Sequence, residues 1–272
     1  MLHNQRSCRK TRERKDFMTL EETVNKLSHM KLFAMAKSLQ ERLIRTDHQD
    51  LGVEEMISLI VDDEWLSREN RKLTTRLKKA KFKVPATLEA IDYQLRRHLM
   101  KPKLIDLSTL SWIQNHQNLL LIGPTGIGKS FIAQALGHHA CQKGFMVHYI
   151  RLTQLLHQLH LSRADGTYGK KLSYLLKYDL LILDDWGVSP FNSQEARDLL
   201  EVIEDRHEIK STLITTQLPT KHWHEFIGNE TVADAICDRL VHNAHVIEMK
   251  GESIRKLKSL VEEKPSRKEE KA

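Results

Sequence analysis

Gly123-Pro-Thr-Gly-Ile-Gly-Lys-Ser130 is the most specific pattern in this chain of 272 residues. It fits G-x-x-x-x-G-K-[ST], a glycine-rich turn whose backbone N–H groups wrap the oxygens of a phosphate chain. An apolar segment, Leu119–Ile122, comes directly before it, and residues with apolar side chains at helical spacing come directly after it. The sequence therefore predicts a phosphate-binding loop between a strand and a helix.

Each position of the loop has an expected role in binding ATP and Mg²⁺. Lys129 places a positive charge against the β- and γ-phosphates, Ser130 offers its hydroxyl to Mg²⁺, and the helix N-terminus adds a partial positive charge. A glycine-rich turn that matches by chance is the alternative. The residues expected to bind the nucleotide are Gly123, Pro124, Thr125, Gly126, Ile127, Gly128, Lys129, Ser130 and Phe131.

A second apolar segment, Leu180–Leu183, ends in two aspartates. Asp184 is expected to hold Mg²⁺ through its water shell, and Asp185 to polarise the water that attacks the γ-phosphate. ATPases with an additional strand more often carry Glu at the second position. Because Asp is one methylene shorter, hydrolysis is expected to be slow. A pair of aspartates that only starts a turn is the alternative.

Two further residues are expected to take part in catalysis together with Lys129 and Asp185. Gln217 follows the segment Thr212–Thr216 and is placed to contact the γ-phosphate or its water; a polar residue that begins the loop before Pro219 is the alternative. Arg239 is expected to act as an arginine finger on the nucleotide of a neighbouring subunit, with a surface salt bridge as the alternative.

Five short apolar segments alternate with helical patterns, which is typical of an α/β fold with a parallel sheet. Amphipathic segments upstream predict a small all-helical domain. The expected strands are Leu119–Ile122, Phe145–Ile150, Leu180–Leu183, Thr212–Thr216 and His245–Met249. The expected division is a disordered basic arm at 1–17, a helical domain at 18–84, a basic linker at 85–117, an ATPase domain at 118–256 and a flexible tail at 257–272.

Composition narrows the classes of protein to consider. No apolar run approaches the roughly 20 residues of a membrane-spanning helix, and the N-terminus lacks the apolar stretch of a secretory signal. Cys8, Cys141 and Cys237 are far apart and form no CxxC pair, which predicts reduced thiols. We therefore expect a cytosolic protein with no membrane partner.

The positive charge is concentrated in one region of the chain. The net charge of the whole chain is +7, and residues 65–103 contain twelve Lys or Arg against three Asp or Glu. This density favours binding to duplex DNA through phosphates, without reading sequence, whereas a solvated helix surface is the alternative. The residues expected to contact DNA are Arg68, Arg71, Lys72, Arg76, Lys78 and Lys79.

These motifs together resemble the IstB-like branch of the AAA+ ATPases, which are relatives of DnaC-type helicase loaders. The E-W-x-x-R-E-N-R stretch is the specific part, since the nucleotide motifs alone fit many families. The resemblance covers residues from about 19 to 256 and rests on Asp63-Glu-Trp-Leu-Ser-Arg-Glu-Asn-Arg-Lys-Leu73, Ala80-Lys-Phe82, Gly123–Ser130, Leu183-Asp-Asp-Trp-Gly187, Thr215-Thr-Gln-Leu-Pro219, Asp238-Arg-Leu240 and Gly251-Glu-Ser-Ile-Arg255.

The resemblance implies an AAA+ P-loop sheet without a large C-terminal lid, in a protein of the bacterial cytosol that associates with the nucleoid. It also implies an ATP-dependent homo-oligomer, as a ring or filament on duplex DNA, and a DDE-type transposase as partner. Arg239 is similar to the arginine finger of the family and Arg255 to its sensor arginine. The alternatives are a replicative helicase loader, a small-molecule kinase and a nucleotide-binding scaffold that scarcely hydrolyses ATP.

Overall fold

The computed structural model describes residues 20–44, 52–93 and 99–254. The predicted arm at 1–17 and the predicted tail at 257–272 lie outside the described residues, and so does Arg255. The chain divides into two compact units, residues 1–74 and 75–272. The division falls within one long helix, α3, which runs from Val53 to Ala80.

The smaller unit is helical in its described residues. It contains α1 at residues 20–29, α2 (Phe33–Ile44) and the first part of α3. Glu64 on α3 accepts hydrogen bonds from the N–H groups of Ala34 (2.9 Å) and Met35 (3.1 Å), which belong to the first turn of α2. Asp63 pairs with Arg42 at 2.9 Å. Glu64 therefore holds the N-terminus of α2 against α3, because it accepts from N–H groups that have no partner inside the helix. Asp63 holds the last turn of α2 through Arg42.

The larger unit begins before the predicted end of the helical domain. Residues 75–84 belong to it, and the described residues of 85–117, predicted as a linker, contribute buried side chains to it. Leu104, Leu107 and Trp112 are almost fully buried, and the indole N–H of Trp112 donates to Leu107 O at 3.1 Å. Apolar burial holds the two helices that carry these three side chains. A linker exposed to water would lack this burial. The predicted domain functions stay predictions.

After α3, the larger unit has two helices before its first strand, and its remaining helices connect the strands of the sheet. The helices after α3 are α4 (Lys101–Ser108), α5 (Ser111–Gln114), α6 (Lys129–Gln142), α7 (Leu152–Ala164), α8 (Tyr168–Leu176), α9 (Ser193–Arg206), a 3₁₀ turn (Thr220–His222), α10 (Trp223–Ile227) and α11 (Glu230–Val241). Parallel neighbours in a sheet require crossovers of this kind. Among the described residues, no helix is both long and apolar enough to cross a bilayer.

Five parallel strands form one sheet in the order β2-β3-β4-β1-β5. Every residue of β1 and β4 is buried, as expected for a parallel sheet with both faces covered. The strands are β1 (Asn118–Ile122), β2 (Val147–Arg151), β3 (Leu180–Trp186), β4 (Ser211–Thr216) and β5 (Ala244–Glu248). The predicted α/β class, with a parallel sheet flanked by helices and a helical N-terminal region, is confirmed.

The strand order places β4 between β1 and β3. The loop after β1, the aspartates at the end of β3 and the polar residue after β4 therefore emerge at the same edge, because parallel strands end in the same direction. The pairing of β3 with β4 shifts between Leu183 and Trp186, so the backbone is irregular at the two aspartates. The candidate site lies at this edge.

Candidate nucleotide-binding site

The phosphate-binding loop connects β1 to α6 through two glycines in the left-handed region. Gly126 has φ 82°, and Gly128, the N-cap of α6, has φ 97°. Ile127 between them is fully buried and anchors the loop in the core, whereas Pro124 and Thr125 are exposed. A residue with a Cβ is disfavoured at both glycine positions. The loop thus turns directly into the N-terminus of a 14-residue helix, a position suited to an anion.

The C-terminal segment of the described chain lies against this loop, and the sequence did not indicate it. A Cβ at Gly123 would lie 2.5 Å from Met249 O, and a Cβ at Gly126 would overlap Ser253. The N–H of Ile254 donates to Gly126 O at 3.0 Å. These glycines are therefore required by the close approach of residues 249–254 as well as by the turn itself.

Lys129 directs its ammonium back across the loop. Its Nζ donates to Gly123 O at 2.7 Å and to Pro124 O at 2.9 Å. Burial lowers the pKa of Lys129 from its ordinary value, while the charges of Asp184 and Asp185 act in the opposite direction. The ammonium is thus held at the loop, close to the two carboxylates.

Asp184 is 2% exposed, and hydroxyl groups surround its carboxylate. Ser130 Oγ donates to Oδ1 at 2.8 Å, Thr215 Oγ1 also donates to Oδ1, and the Tyr149 hydroxyl donates to Oδ2 at 2.5 Å. A buried carboxylate requires such partners to offset its loss of hydration. Ser130 and Asp184, the two residues predicted to hold the metal, are in direct contact. Nothing in the sequence singled out Tyr149, which lies in the apolar run of β2.

Asp185 has a left-handed backbone with φ 63°. Its N–H donates to Thr215 Oγ1 at 3.2 Å, and its carboxylate pairs with Arg151 at 3.4 Å. Arg151 ends β2, where its register partner is Asp184. The sequence did not indicate Arg151 either, although a basic residue at the carboxyl end of a strand is a signal that could have been used.

Gln217 also lies at the loop. Its Oε1 accepts a hydrogen bond from Thr125 Oγ1 at 2.8 Å, so the residue after β4 contacts the exposed part of the turn. The role of Gln217 remains a prediction.

Arg239 is not part of this cluster of contacts. Its guanidinium pairs with Glu204 at 2.8 Å and donates to Ala235 O at 2.9 Å. The salt bridge named above as the alternative is thus present within one chain. A role on a neighbouring subunit would require the pair with Glu204 to open.

The six residues predicted to contact DNA differ in their surroundings along α3. In the smaller unit, Arg68 pairs with Glu64 at 2.8 Å and Lys72 with Glu69 at 2.8 Å. Arg71 also lies 3.6 Å from the Glu64 carboxylate. In the larger unit, Arg76 donates to Cys141 O at 2.9 Å, whereas Lys78 and Lys79 are exposed.

Several proteins of insertion sequences are similar to this chain over most of their length. A Sinorhizobium fredii protein that carries the name of an insertion sequence ATP-binding protein is 45% identical over 88% of this chain and 98% of its own length. A Mycobacterium tuberculosis protein with a similar name is 34% identical over 85% and 92%.

Solved structures at lower identity share the fold. DnaI is 21% identical with a TM-score of 0.52, over 61% of this chain and 91% of its own. AMPPCP-bound DnaA from Aquifex aeolicus is 16% identical with a TM-score of 0.52, over 67% and 56%. The model of the family described as IstB-like ATP binding protein matches residues 25–261. With that match and the two relatives in insertion sequences, the chain belongs to the IstB-like ATP-binding family.

Proposed function

We propose that this protein is an ATP-dependent helper of insertion-sequence transposition, which assembles on duplex DNA and recruits or activates a DDE-type transposase in the bacterial cytosol. The observation that carries the proposal is the convergence of the loop, Ser130 and Asp184 at one edge of the sheet. The names of the relatives support the setting in an insertion sequence.

In this proposal the loop from Gly123 to Phe131 binds the phosphates of ATP through its backbone amides. Lys129 exchanges its present carbonyl partners for phosphate oxygens, which can satisfy the same three N–H groups. Ser130 Oγ and Asp184 Oδ1, 2.8 Å apart, are the hard oxygen donors that Mg²⁺ prefers. When bound, Mg²⁺ would neutralise charge on the β- and γ-phosphates.

Three residues would carry hydrolysis. Asp185 polarises the attacking water from the end of β3, and Gln217 orients it from beside Thr125. Arg239 approaches the nucleotide of a neighbouring subunit in the assembled homo-oligomer, after it exchanges Glu204 for a phosphate. Hydrolysis would then release the subunits from each other and from DNA.

The nucleotide site is tested by Lys129→Ala, with Lys143→Ala as the matched control. Lys129 is the first residue of α6, whereas Lys143 is the C-cap at the other end of the same helix. A fluorescent ATP analogue should lose measurable binding to the first variant and retain wild-type affinity for the second. Unchanged affinity of Lys129→Ala would overturn the site.

The DNA surface is tested through the two exposed lysines of α3. Lys78→Ala/Lys79→Ala should weaken binding to random duplex DNA and reduce the slope of log K against log salt by about 2, since each phosphate contact contributes ~0.9. The control, Lys170→Ala/Lys177→Ala, removes the same charge from exposed lysines at α8 and should leave the slope unchanged. A wild-type affinity that does not respond to salt would overturn the DNA proposal.

The partner is tested by co-purification with tagged wild-type protein in the presence of the non-hydrolysable analogue and DNA. Recovery of a DDE-type transposase supports a transposition helper. Recovery of a hexameric helicase without a transposase would identify a helicase loader instead.

A further inference from the structure

A buried tyrosine on β2 contacts the carboxylate proposed to secure Mg²⁺. Tyr149 is 4% exposed, and its hydroxyl donates to Asp184 Oδ2 at 2.5 Å. The two strands that carry these residues are adjacent and parallel, with Tyr149 in register with Ile182. The contact therefore depends on the sheet rather than on a mobile loop.

Three hydroxyl groups donate hydrogen bonds to the Asp184 carboxylate, and together they occupy both of its oxygens. Ser130 and Thr215 donate to Oδ1, and Tyr149 donates to Oδ2. Oδ1 is thus the oxygen that contacts Ser130 at the end of the loop, and Oδ2 is the oxygen held by β2. A carboxylate held through both oxygens cannot rotate about its Cβ–Cγ bond without breaking a charge-assisted hydrogen bond.

We propose that Tyr149 is a positioning residue for the metal: it fixes the Asp184 carboxylate so that Oδ1 faces Ser130 and the Mg²⁺ that accompanies the nucleotide. This inference rests on the proposed nucleotide site and assigns to it a residue outside the phosphate-binding and Asp-Asp motifs.

The electrostatics of the site favour this arrangement. The Tyr149 hydroxyl donates to a charged acceptor in a buried site, where such a hydrogen bond is stronger than one between neutral groups. Without Tyr149, the hydrogen bonds from Ser130 and Thr215 would still hold Oδ1, but the hydrogen bond that fixes Oδ2 would be lost.

Some residues orient a metal ligand without touching the metal. Their removal commonly changes the affinity for the metal by 10–100-fold. Tyr149→Phe removes one hydroxyl and keeps the buried ring. Tyr178→Phe is the matched control, because Tyr178 is also buried and its hydroxyl donates to the Tyr174 hydroxyl at 2.5 Å, with Asp184 not involved. Both changes delete one hydrogen bond made by the hydroxyl of a buried tyrosine.

The experiment titrates a fluorescent, non-hydrolysable ATP analogue onto each full-length protein, first in EDTA and then across a range of Mg²⁺ concentrations. For Tyr149→Phe we expect the Mg²⁺ concentration at half-maximal enhancement of binding to rise about tenfold. Affinity in EDTA should stay within twofold of wild type, because the loop and Lys129 are unchanged. Tyr178→Phe should match wild type in both conditions.

Thr215→Val is a second variant, since it removes the other strand-borne hydroxyl of the same carboxylate. It too should raise the Mg²⁺ midpoint, which keeps the inference testable if Tyr149→Phe does not fold. A Tyr149→Phe protein with an unchanged midpoint, or with equal loss of affinity in EDTA, would overturn the inference and leave the nucleotide site standing. Wild-type protein that binds no nucleotide in either buffer would overturn the proposed function itself.

Discussion

The close approach of the C-terminal segment to the phosphate-binding loop makes Gly126→Ala the most informative perturbation. Two costs act at this position. The backbone has φ 82°, where a residue with a Cβ is disfavoured by roughly 1–2 kcal/mol. The added methyl group would also lie 3.0 Å from Ser253 Cβ and overlap Oγ, so residues 250–254 must move away.

The second cost can be separated from the first. Displacement of the segment breaks the hydrogen bond from Ile254 N–H to Gly126 O, worth about 1 kcal/mol net. Gly144→Ala measures backbone strain alone, because Gly144 has φ 102° and nothing within 4 Å of an added Cβ. We expect Gly126→Ala to be about 1 kcal/mol more destabilising than Gly144→Ala.

Two assays report the difference. Thermal unfolding should show the extra cost as a further fall in Tm of roughly 2–4 °C. Trypsin cleavage after Lys250, followed by mass spectrometry, should accelerate about fivefold, since 1 kcal/mol of lost docking raises the open population by that factor. Gly144→Ala should leave this cleavage unchanged.

A double-mutant cycle with Ser253→Gly supplies the refutation. With the serine side chain removed, the nearest remaining atom would be the Cα of residue 253 at 3.6 Å, an ordinary contact. The cost of Gly126→Ala measured in the S253G background should therefore fall to that of Gly144→Ala. An identical cost in both backgrounds would show that the segment does not lie on the loop.

Three further predictions concern buried or strained groups. Arg206 is 2% exposed and donates to three backbone carbonyls at 2.6–3.0 Å. Arg206→Met should therefore lower the free energy of unfolding, measured by urea titration, by about 3–5 kcal/mol. A loss below about 1 kcal/mol would contradict this prediction. Burial lowers the pKa of His148 to about 4. Because the folded state disfavours the charged ring, stability should be lost as pH falls from about 6.5 to 4, by up to ~1.4 kcal/mol per pH unit, and His148→Gln should flatten that slope of Tm against pH. Asp185→Glu should lower the stability of the folded state by about 1 kcal/mol and Asp185→Asn should leave it nearly unchanged, since Asn tolerates a positive φ better than Glu. Equal Tm values of the two variants in thermal unfolding would refute this prediction.

The sheet was predictable because its signals are local. Each strand is a short apolar run bounded by polar residues, and the loop of Gly123–Ser130 sits between one such run and a helical pattern. All five expected strands overlap observed ones to within a few residues at their ends. The class of fold followed from this alternation, since buried parallel strands have few alternatives.

Contacts between distant segments could not be predicted in the same way. Tyr149 has the same pattern as its apolar neighbours, and only the pairing of β2 with β3 shows that its hydroxyl meets a carboxylate. Met249 and Ser253 carry no local sign that they will meet two loop glycines more than a hundred positions earlier. Glu64 was noted as part of a motif, but its role at the N-terminus of α2 required the structure.

At Asp185, a local sequence signal and contacts between distant segments both bear on the same residue. In the sequence, Asp185 is a shorter residue at a position where Glu is more usual, and the length of its side chain alone predicted slow hydrolysis of ATP. The backbone supplies a reason for the exchange: the residue follows an irregular step in the pairing of β3 with β4 and has φ 63°, a conformation in which Asp is favoured over longer side chains. Its N–H is held by Thr215, the same residue that donates to Asp184. The position of the second carboxylate is therefore set by the displaced backbone as well as by side-chain length, so the reach lost with one methylene cannot be judged from the sequence alone.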